Sequence, residues 1–264
     1  MKKHFYIFEL VALLCGGLIL MFIIAPIVGM VLNSKASILF ETMTDKEIHA
    51  SIRLTLLTSF VATMAFSVIA LPFSWYLARY DFVFKNVLIG IINLPLVIPH
   101  STAGIALLSV LNRESMAGKL AEKMGFSFIN NPVGIALAMS FVSLPFLIES
   151  ACSGFAGVPE KLEKAAMTLG ASPLRVFFTI SLPLAGRSIL TGLIMMFARG
   201  LSEFGAVIII AYHPMVTPVL IYERFTSYGL SYAREAGVVF LIVSLIVFVA
   251  IRLISEKGCN YAGR

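Results

Sequence analysis

Residues 159–183 read PEKLEKAAMTLGASPLRVFFTISLP, a polar, helix-patterned stretch set between two strongly apolar spans. Apolar positions recur at Val158, Leu162, Ala165, Ala166 and Leu169, which is helical spacing. The opposite face carries Glu160, Lys161, Glu163, Lys164 and Thr168. Gly170 is expected to end this helix, because the left-handed cap conformation tolerates no Cβ. Ser172 and Pro173 then read as the N-cap and first-turn proline of a second helix. A helix of about eleven residues is marginal alone in water, so this one should dock against something. A membrane chain with a structured handle on one face uses it to grip a soluble partner.

Composition places the handle in a membrane protein. Hydrophobic residues make up 59% of the 264 and charged residues 13%, with a mean hydropathy of +0.96, which excludes an ordinary soluble domain. The net charge of +6 is scattered along the chain and forms no arm or stripe, so no nucleic-acid partner is expected. Cys15, Cys152 and Cys259 lie too far apart in sequence for a disulfide framework or metal-ligand spacing, and no metal is expected. The basic start MKKHFYIFELVALL is followed by an apolar run to Leu32, longer than a cleaved signal, and reads as a retained first span.

Six segments are long enough to cross a hydrocarbon core, at about 5–32, 54–78, 87–111, 133–153, 189–212 and 236–254. The expected fold class is therefore an all-α membrane protein of six transmembrane helices, a single transmembrane domain over 1–264 with short tails. An even count puts both termini on one side. Of the 20 Lys and Arg, eleven fall on that side and eight on the other, with Arg199 inside a span. The excess predicts cytoplasmic termini, and it places the 154–188 loop in the cytoplasm. The opposite loops at 33–53 and 112–132 carry helix-like polar patterns and are expected to form a small outer cap.

The order Ala165-Ala166, three residues, Gly170, nine residues, Ile180-x-Leu182-Pro183 resembles the EAA loop of ABC importer permeases, E-A-A-x(3)-G-x(9)-I-x-L-P. One position departs: Lys164 stands where that pattern has Glu, with Glu163 one residue earlier. Two further stretches, INLPLVIPHSTAGIALL (92–108) and FARGLSEFGAVIIIAY (197–212), resemble span signatures of molybdate, tungstate and sulfate permeases. The resemblance implies a type I, MetI-like permease working as a homodimer. It implies a cargo of molybdate or tungstate, with sulfate or thiosulfate as the alternative. Two ATP-binding cassette ATPase subunits would dock in the cytoplasm, and an extracellular or periplasmic oxyanion-binding protein would deliver cargo from outside. Glu163, Lys164, Ala165, Ala166, Gly170, Ala171, Ser172 and Pro173 would form the coupling segment, with small residues letting two backbones approach. ATP and Mg would be held by the partner, and no cofactor by this chain. Consistent with that division, no G-x-x-x-x-G-K-[ST] phosphate loop exists here: Gly118-Lys119 is followed by Leu120. The chain is therefore expected to be no enzyme.

Inside the spans, Arg199 and Glu203 stand out. Arg199 lies roughly 15 Å along a helix starting near Ile189, close to mid-bilayer. Charge there faces the bundle interior or a wet cavity. Spacing of i, i+4 puts the pair on one face, either lining a path or locking helices together. Ala198, Gly200, Ser202, Gly205 and Ala206 around it permit close packing, whether for a dimer axis or a gate. Pro95 and Pro99 should bend or break the third span, leaving carbonyls that need protein or water beside them. Pro99, His100, Ser101 and Thr102 are therefore candidates for the path together with Arg199, Ser202, Glu203 and Gly205. A simple proline kink is the alternative, and His100 lacks a second ligand nearby. Glu9 and Glu149 lie near span ends and get no transport role, while Trp75, Tyr76 and Tyr80 read as an interfacial belt at the inner leaflet. A transporter or channel working without ATP is the reading of another class.

Overall fold

The computed structural model describes residues 2–261, with side chains from 8 to 253. The side chains of Lys2, Lys3, Lys257, Cys259 and Arg264, counted above, lie outside the described residues. All regular structure among the described residues is helical. The elements are α1 (Lys2–Leu32), α2 (Ala36–Thr44), α3 (Lys46–Arg79), α4 (Lys85–Val97), α5 (His100–Leu111), α6 (Met116–Lys123) and α7 (Pro132–Ala156). They continue as α8 (Glu160–Thr168), α9 (Pro173–Val176), a π turn (Phe177–Ser181), α10 (Leu182–Leu184), α11 (Gly186–Leu201), α12 (Gly205–Ile210), α13 (Thr217–Tyr228) and α14 (Leu230–Tyr261).

Four helices are long and apolar enough to cross a membrane, and six spans result if each of two sharply bent pairs counts as one. The first pair is α4 with α5, bent by 112°. Its cause is legible in the prolines. Pro99 lacks the N–H that would continue the helix, and Ile98 before it is extended at φ −73°, ψ 146°. The second pair joins Pro173–Leu184 to Gly186–Leu201 at 76°. Here the expectation of a single span over 189–212 is revised. The apolar run Phe177-Phe178-Thr179-Ile180 carries helix onward from the loop, and the π turn sits just ahead of Pro183, whose ring and missing N–H disfavour a regular α-turn. At the far end α11 stops at Leu201, and α12 starts afresh at Gly205.

The contacts group the chain into two units. The described residues up to His49 pack with Ile221–Ser244. In this unit α1 exposes apolar side chains all round from Phe8 onward, the pattern of a membrane-crossing helix. Buried Arg224 pairs with Asp45 and lies 3.5 Å from Glu47, while Glu235 accepts a hydrogen bond from the Lys35 amide at 2.9 Å. Burial raises the Asp45 carboxyl, but Arg224 and the amides of Glu47 and Ile48 outweigh it and hold the group below the usual range.

The second unit comprises Ala50–Leu220 with Leu245 onward. Its core packs Ala138, Met139 and Val142 of α7 against Ala206, Val207 and Ile210 of α12. A hydroxyl stripe on α3 faces inward. Thr55, Thr58 and Thr63 satisfy their own helix backbone at 2.7–2.8 Å, so they enter the core without orphaned polar atoms. Ser59 donates to the Phe197 carbonyl of α11 at 2.9 Å, and Thr55 accepts from the Thr217 amide at 2.8 Å. The 112–132 loop contains α6, capped by Ser115, and the 33–53 loop contains α2, so both helical patterns are present.

Candidate functional site: the loop helix and the broken spans

The loop folds locally as its residues dictate. Glu160 and Glu163 lie in the first turn of α8, where acids suit the helix dipole. After Leu169, Gly170 takes φ +89°. Its amide bonds the Met167 carbonyl, and the Ala171 amide bonds that of Ala166, each at 3.0 Å. This pair of bonds closes the helix as a Schellman motif. Ser172 then accepts from the Arg175 amide and caps α9, with Pro173 at its first turn.

The orientation of α8 reverses the pattern reading. Glu163, placed on the polar face by spacing, is its one buried residue at 3% exposure. Leu162, Met167 and Leu169 are exposed, Leu169 at 89%, and so are Leu174 and Phe178 beyond the turn. Ala165, Lys164 and Gly170 are exposed and Ala166 is half-buried. Lys164, at the departing motif position, pairs with Glu160 one turn back at 2.6 Å.

The cause is a cation at the end of α3. Arg79 donates through Nε to Glu163 Oε2 and through Nη2 to Oε1, both at 2.8 Å, in a bidentate fork. Ser181 of the π turn donates to Oε1 at 2.6 Å, and Trp75 Nε1 reaches it at 3.4 Å. Arg79 Nη2 also donates to the Val158 carbonyl at 3.0 Å. Burial alone would push the Glu163 carboxyl up. The hydrogen bonds from Arg79 and Ser181 and the Arg79 charge outweigh it and hold the group below its usual value. Trp75, expected in an interfacial belt, packs edge-on against Phe177 and Tyr80. Val158 of the same loop is buried with Phe155, Phe177 and Ile189. The links of Arg79, Trp75 and Ser181 to Glu163 escaped sequence reasoning: Arg79 and Trp75 lie 84 and 88 residues away, and Ser181, 18 residues on, falls outside the periodicity of α8.

The second constellation forms where the start of α5, just past its break, meets the gap between α11 and α12. Arg199 projects from the last turn of α11, and Glu203 sits in the gap before α12. Their Nη2 and Oε2 are 3.0 Å apart. The ion pair therefore survives although no helix joins the two residues. Glu203 Oε1 accepts from the Ala206 amide at 2.9 Å, so the same carboxylate caps α12. His100, in the first turn of α5, places Nε2 at 2.7 Å from Arg199 Nη2 and Nδ1 at 3.7 Å from Glu203 Oε2. Ser202 Oγ accepts from Arg199 Nη1 at 3.3 Å. Gly205 makes this crossing possible: a Cβ there would lie 2.7 Å from His100 Cβ and 3.2 Å from the Ser101 amide. Pro99, Ser101 and Thr102 are exposed at the start of α5. The structure thus gathers His100, Arg199, Ser202, Glu203 and Gly205 into one group. Beside it lies a cavity of about 680 Å³ lined by Thr191, Met195, Ala198, Arg199, Phe248 and Arg252, among others. Glu149, given no transport role, accepts from Asn93 at 2.6 Å and ties α7 to α4. No metal-ligating cluster occurs among the described residues.

Residues 70–257 match the family described as "Binding-protein-dependent transport system inner membrane component". The molybdate/tungstate transport system permease protein WtpB of Methanocaldococcus jannaschii is 39% identical over 236 residues, covering 89% of this chain and 92% of that protein. A probable sulfate transport system permease protein cysT of Chlorokybus atmophyticus is 33% identical, covering 78% and 74% of the two chains. Among solved structures, a bacterial alginate ABC transporter in complex with an alginate-bound periplasmic protein contains a chain that superposes with a TM-score of 0.74 at 16% identity. That likeness covers 95% of this chain and 94% of the other.

Proposed function

Because the chain belongs to the inner-membrane components of binding-protein-dependent transport systems, we propose that it is the permease of an ATP-driven importer of molybdate or tungstate. It is a multi-pass membrane protein and a pore subunit, not an enzyme. In this reading two copies form the translocation unit, embedded in membrane lipid with both termini in the cytoplasm. Two ATPase subunits seat the two α8 helices and hold ATP and Mg. An external binding protein hands the anion to the outward-open state.

The observation that carries the reading is the inverted loop helix. Its anchoring side is a single buried carboxylate, while Leu162, Ala165, Met167 and Leu169 face away from the chain. Exposed apolar residues on a loop helix, with small residues among them, suit a groove in another protein. Nucleotide-driven closure of the ATPases would then move α8, and the spans would alternate between two arrangements. Only differential coupling is needed for this, not a tight site in the permease.

The Arg199 group suits passage of a dianion. Glu203 and His100 share its guanidinium, which lowers the net attraction, and conduction requires sites weak enough to leave. Arg252 across the neighbouring cavity extends a basic lining from the same group. ATP-dependent tungstate uptake by the complex reconstituted in proteoliposomes tests the function. Ala165→Trp with Gly170→Val is expected to abolish co-purification of the ATPase; retention of a working complex would show that α8 is not the docking segment, and uptake that needs no ATPase would argue for an ATP-independent transporter. Arg199→Ala combined with Glu203→Gln removes both charges together; unchanged rate and anion preference would reduce the group to a brace.

Sulfate is the second reading, favoured by the 33% identity to the cysT relative. Tetrahedral dianions differ mainly in size, so discrimination rests largely with the binding protein. Thermal stabilisation of that protein by tungstate, molybdate or sulfate separates the cargoes.

A further inference from the structure

Glu163 is the one buried residue of α8, so the helix is fastened to the rest of its unit chiefly through one carboxylate and its two chain ends. That carboxylate is held by two different parts of the chain. Arg79 and Trp75 are one turn apart at the end of α3. Ser181 belongs to the π turn that leads into α11. Arg79 in turn holds the Val158 carbonyl, where the chain leaves α7. Each link involves a charged group, at 2.6–3.0 Å except for the 3.4 Å contact from Trp75. The bidentate fork also fixes the angle of the carboxylate as well as its distance.

We propose that Arg79 and Glu163 form the transmission joint of the permease, making the end of α3 and the entry to α11 follow α8 as one body. The inference rests on α8 being the segment that the ATPase moves. It adds that the neighbouring small residues and Lys164 meet the partner, whereas Glu163 faces inward and passes displacement on. The route then runs through Ser181 and the π turn into α11, whose last turn carries Arg199 beside the broken α5. A π turn is a weak point in a helix, so a hydroxyl pinned to the moving carboxylate at that turn gives the push a defined entry. Glu163 and Arg79 act here as positioning residues: they touch neither the anion nor the nucleotide.

Two measurements on the full transporter in proteoliposomes test the joint. The first is tungstate taken up per ATP hydrolysed, in native protein, Glu163→Gln and Arg79→Lys. Glu163→Gln keeps the shape and an acceptor for Ser181 but loses the ionic fork, and the ratio is expected to fall by about tenfold or more. Arg79→Lys retains charge without the fork and should fall between. A purely structural brace would lower melting temperature and leave uptake per ATP unchanged, which would overturn the proposal. The second measurement leaves both residues native, with spin labels at exposed Lys161 on α8 and at Val83 just beyond α3. Their separation is expected to stay constant between the nucleotide-free and ATP-bound states while α8 moves relative to the lipid. A separation that changes with nucleotide would show that α8 slides past α3 and would refute the joint. Failure of the native complex to take up tungstate with ATP would instead count against the permease reading beneath it.

Discussion

The Arg79–Glu163 and Arg199–Glu203 pairs use the same two residue types in opposite settings. In the first, both side chains are nearly sealed, at 8% and 4% exposure. The carboxylate receives donors from Arg79, Ser181 and Trp75, so its desolvation is met by hydrogen bonds. In the second, Glu203 is buried at 1% but Arg199 remains 23% exposed and is shared with His100. One pair is a closed joint between a loop and the spans. The other keeps part of its cation toward a cavity, as the proposed path requires. Burial of the arginine, more than the presence of a partner, separates a closed joint from a candidate waystation.

The largest expected effect breaks the closed pair. Arg79→Met leaves Glu163 buried without its cation and should cost about 3–5 kcal/mol, read as a lower melting temperature in detergent. A loss under 1 kcal/mol would mean that water reaches Glu163 freely. Acid sharpens the same point. The folded Glu163 carboxyl is depressed, so its contribution is fully present above the unfolded value of about 4.3 and disappears as pH falls through the folded value. Native protein should therefore lose melting temperature on acidification in that window, and Arg79→Met should show a smaller slope.

At the open pair, Glu203→Gln keeps the cap on the Ala206 amide and removes the charge that restrains Arg199. Tungstate should then bind more tightly and leave more slowly. A fall of about fivefold in KM with a matching fall in maximal uptake corresponds to about 1 kcal/mol of attraction in a wet setting. If maximal uptake rises, the pair does not regulate how firmly the anion is held. The smallest effect belongs to Lys164→Ala. Its exposed pair with Glu160 is screened by water, and no change in melting temperature is expected. A loss of ATPase affinity without that change would place Lys164 in the docking surface.

Much of the loop could be read from residues alone. Gly170 marks the helix end because a positive φ there excludes a Cβ, and Ser172-Pro173 marks the next start. The broken third span followed from Pro99 in the same local way. The buried face of α8 could not be read, since periodicity ranks side chains by polarity and assigned Glu163 to solvent. The gap at residues 202–204 could not be read either, since the stretch 189–212 is long and apolar enough on average to pass for one helix despite Arg199 and Glu203. Its cause is tertiary: Glu203 bonds across the gap and α12 packs against α5 through Gly205.

The sequence by itself determined that the chain lives in a membrane, how many crossings it can make, and where a polar helical lever interrupts them. These follow from hydropathy, proline and glycine geometry, which act over a few residues. Only the tertiary structure decided which way the lever faces and which acids meet which cations. A charge placed in low dielectric takes whichever counter-charge the fold brings within hydrogen-bond reach, and for Arg79 that partner came from 84 residues away.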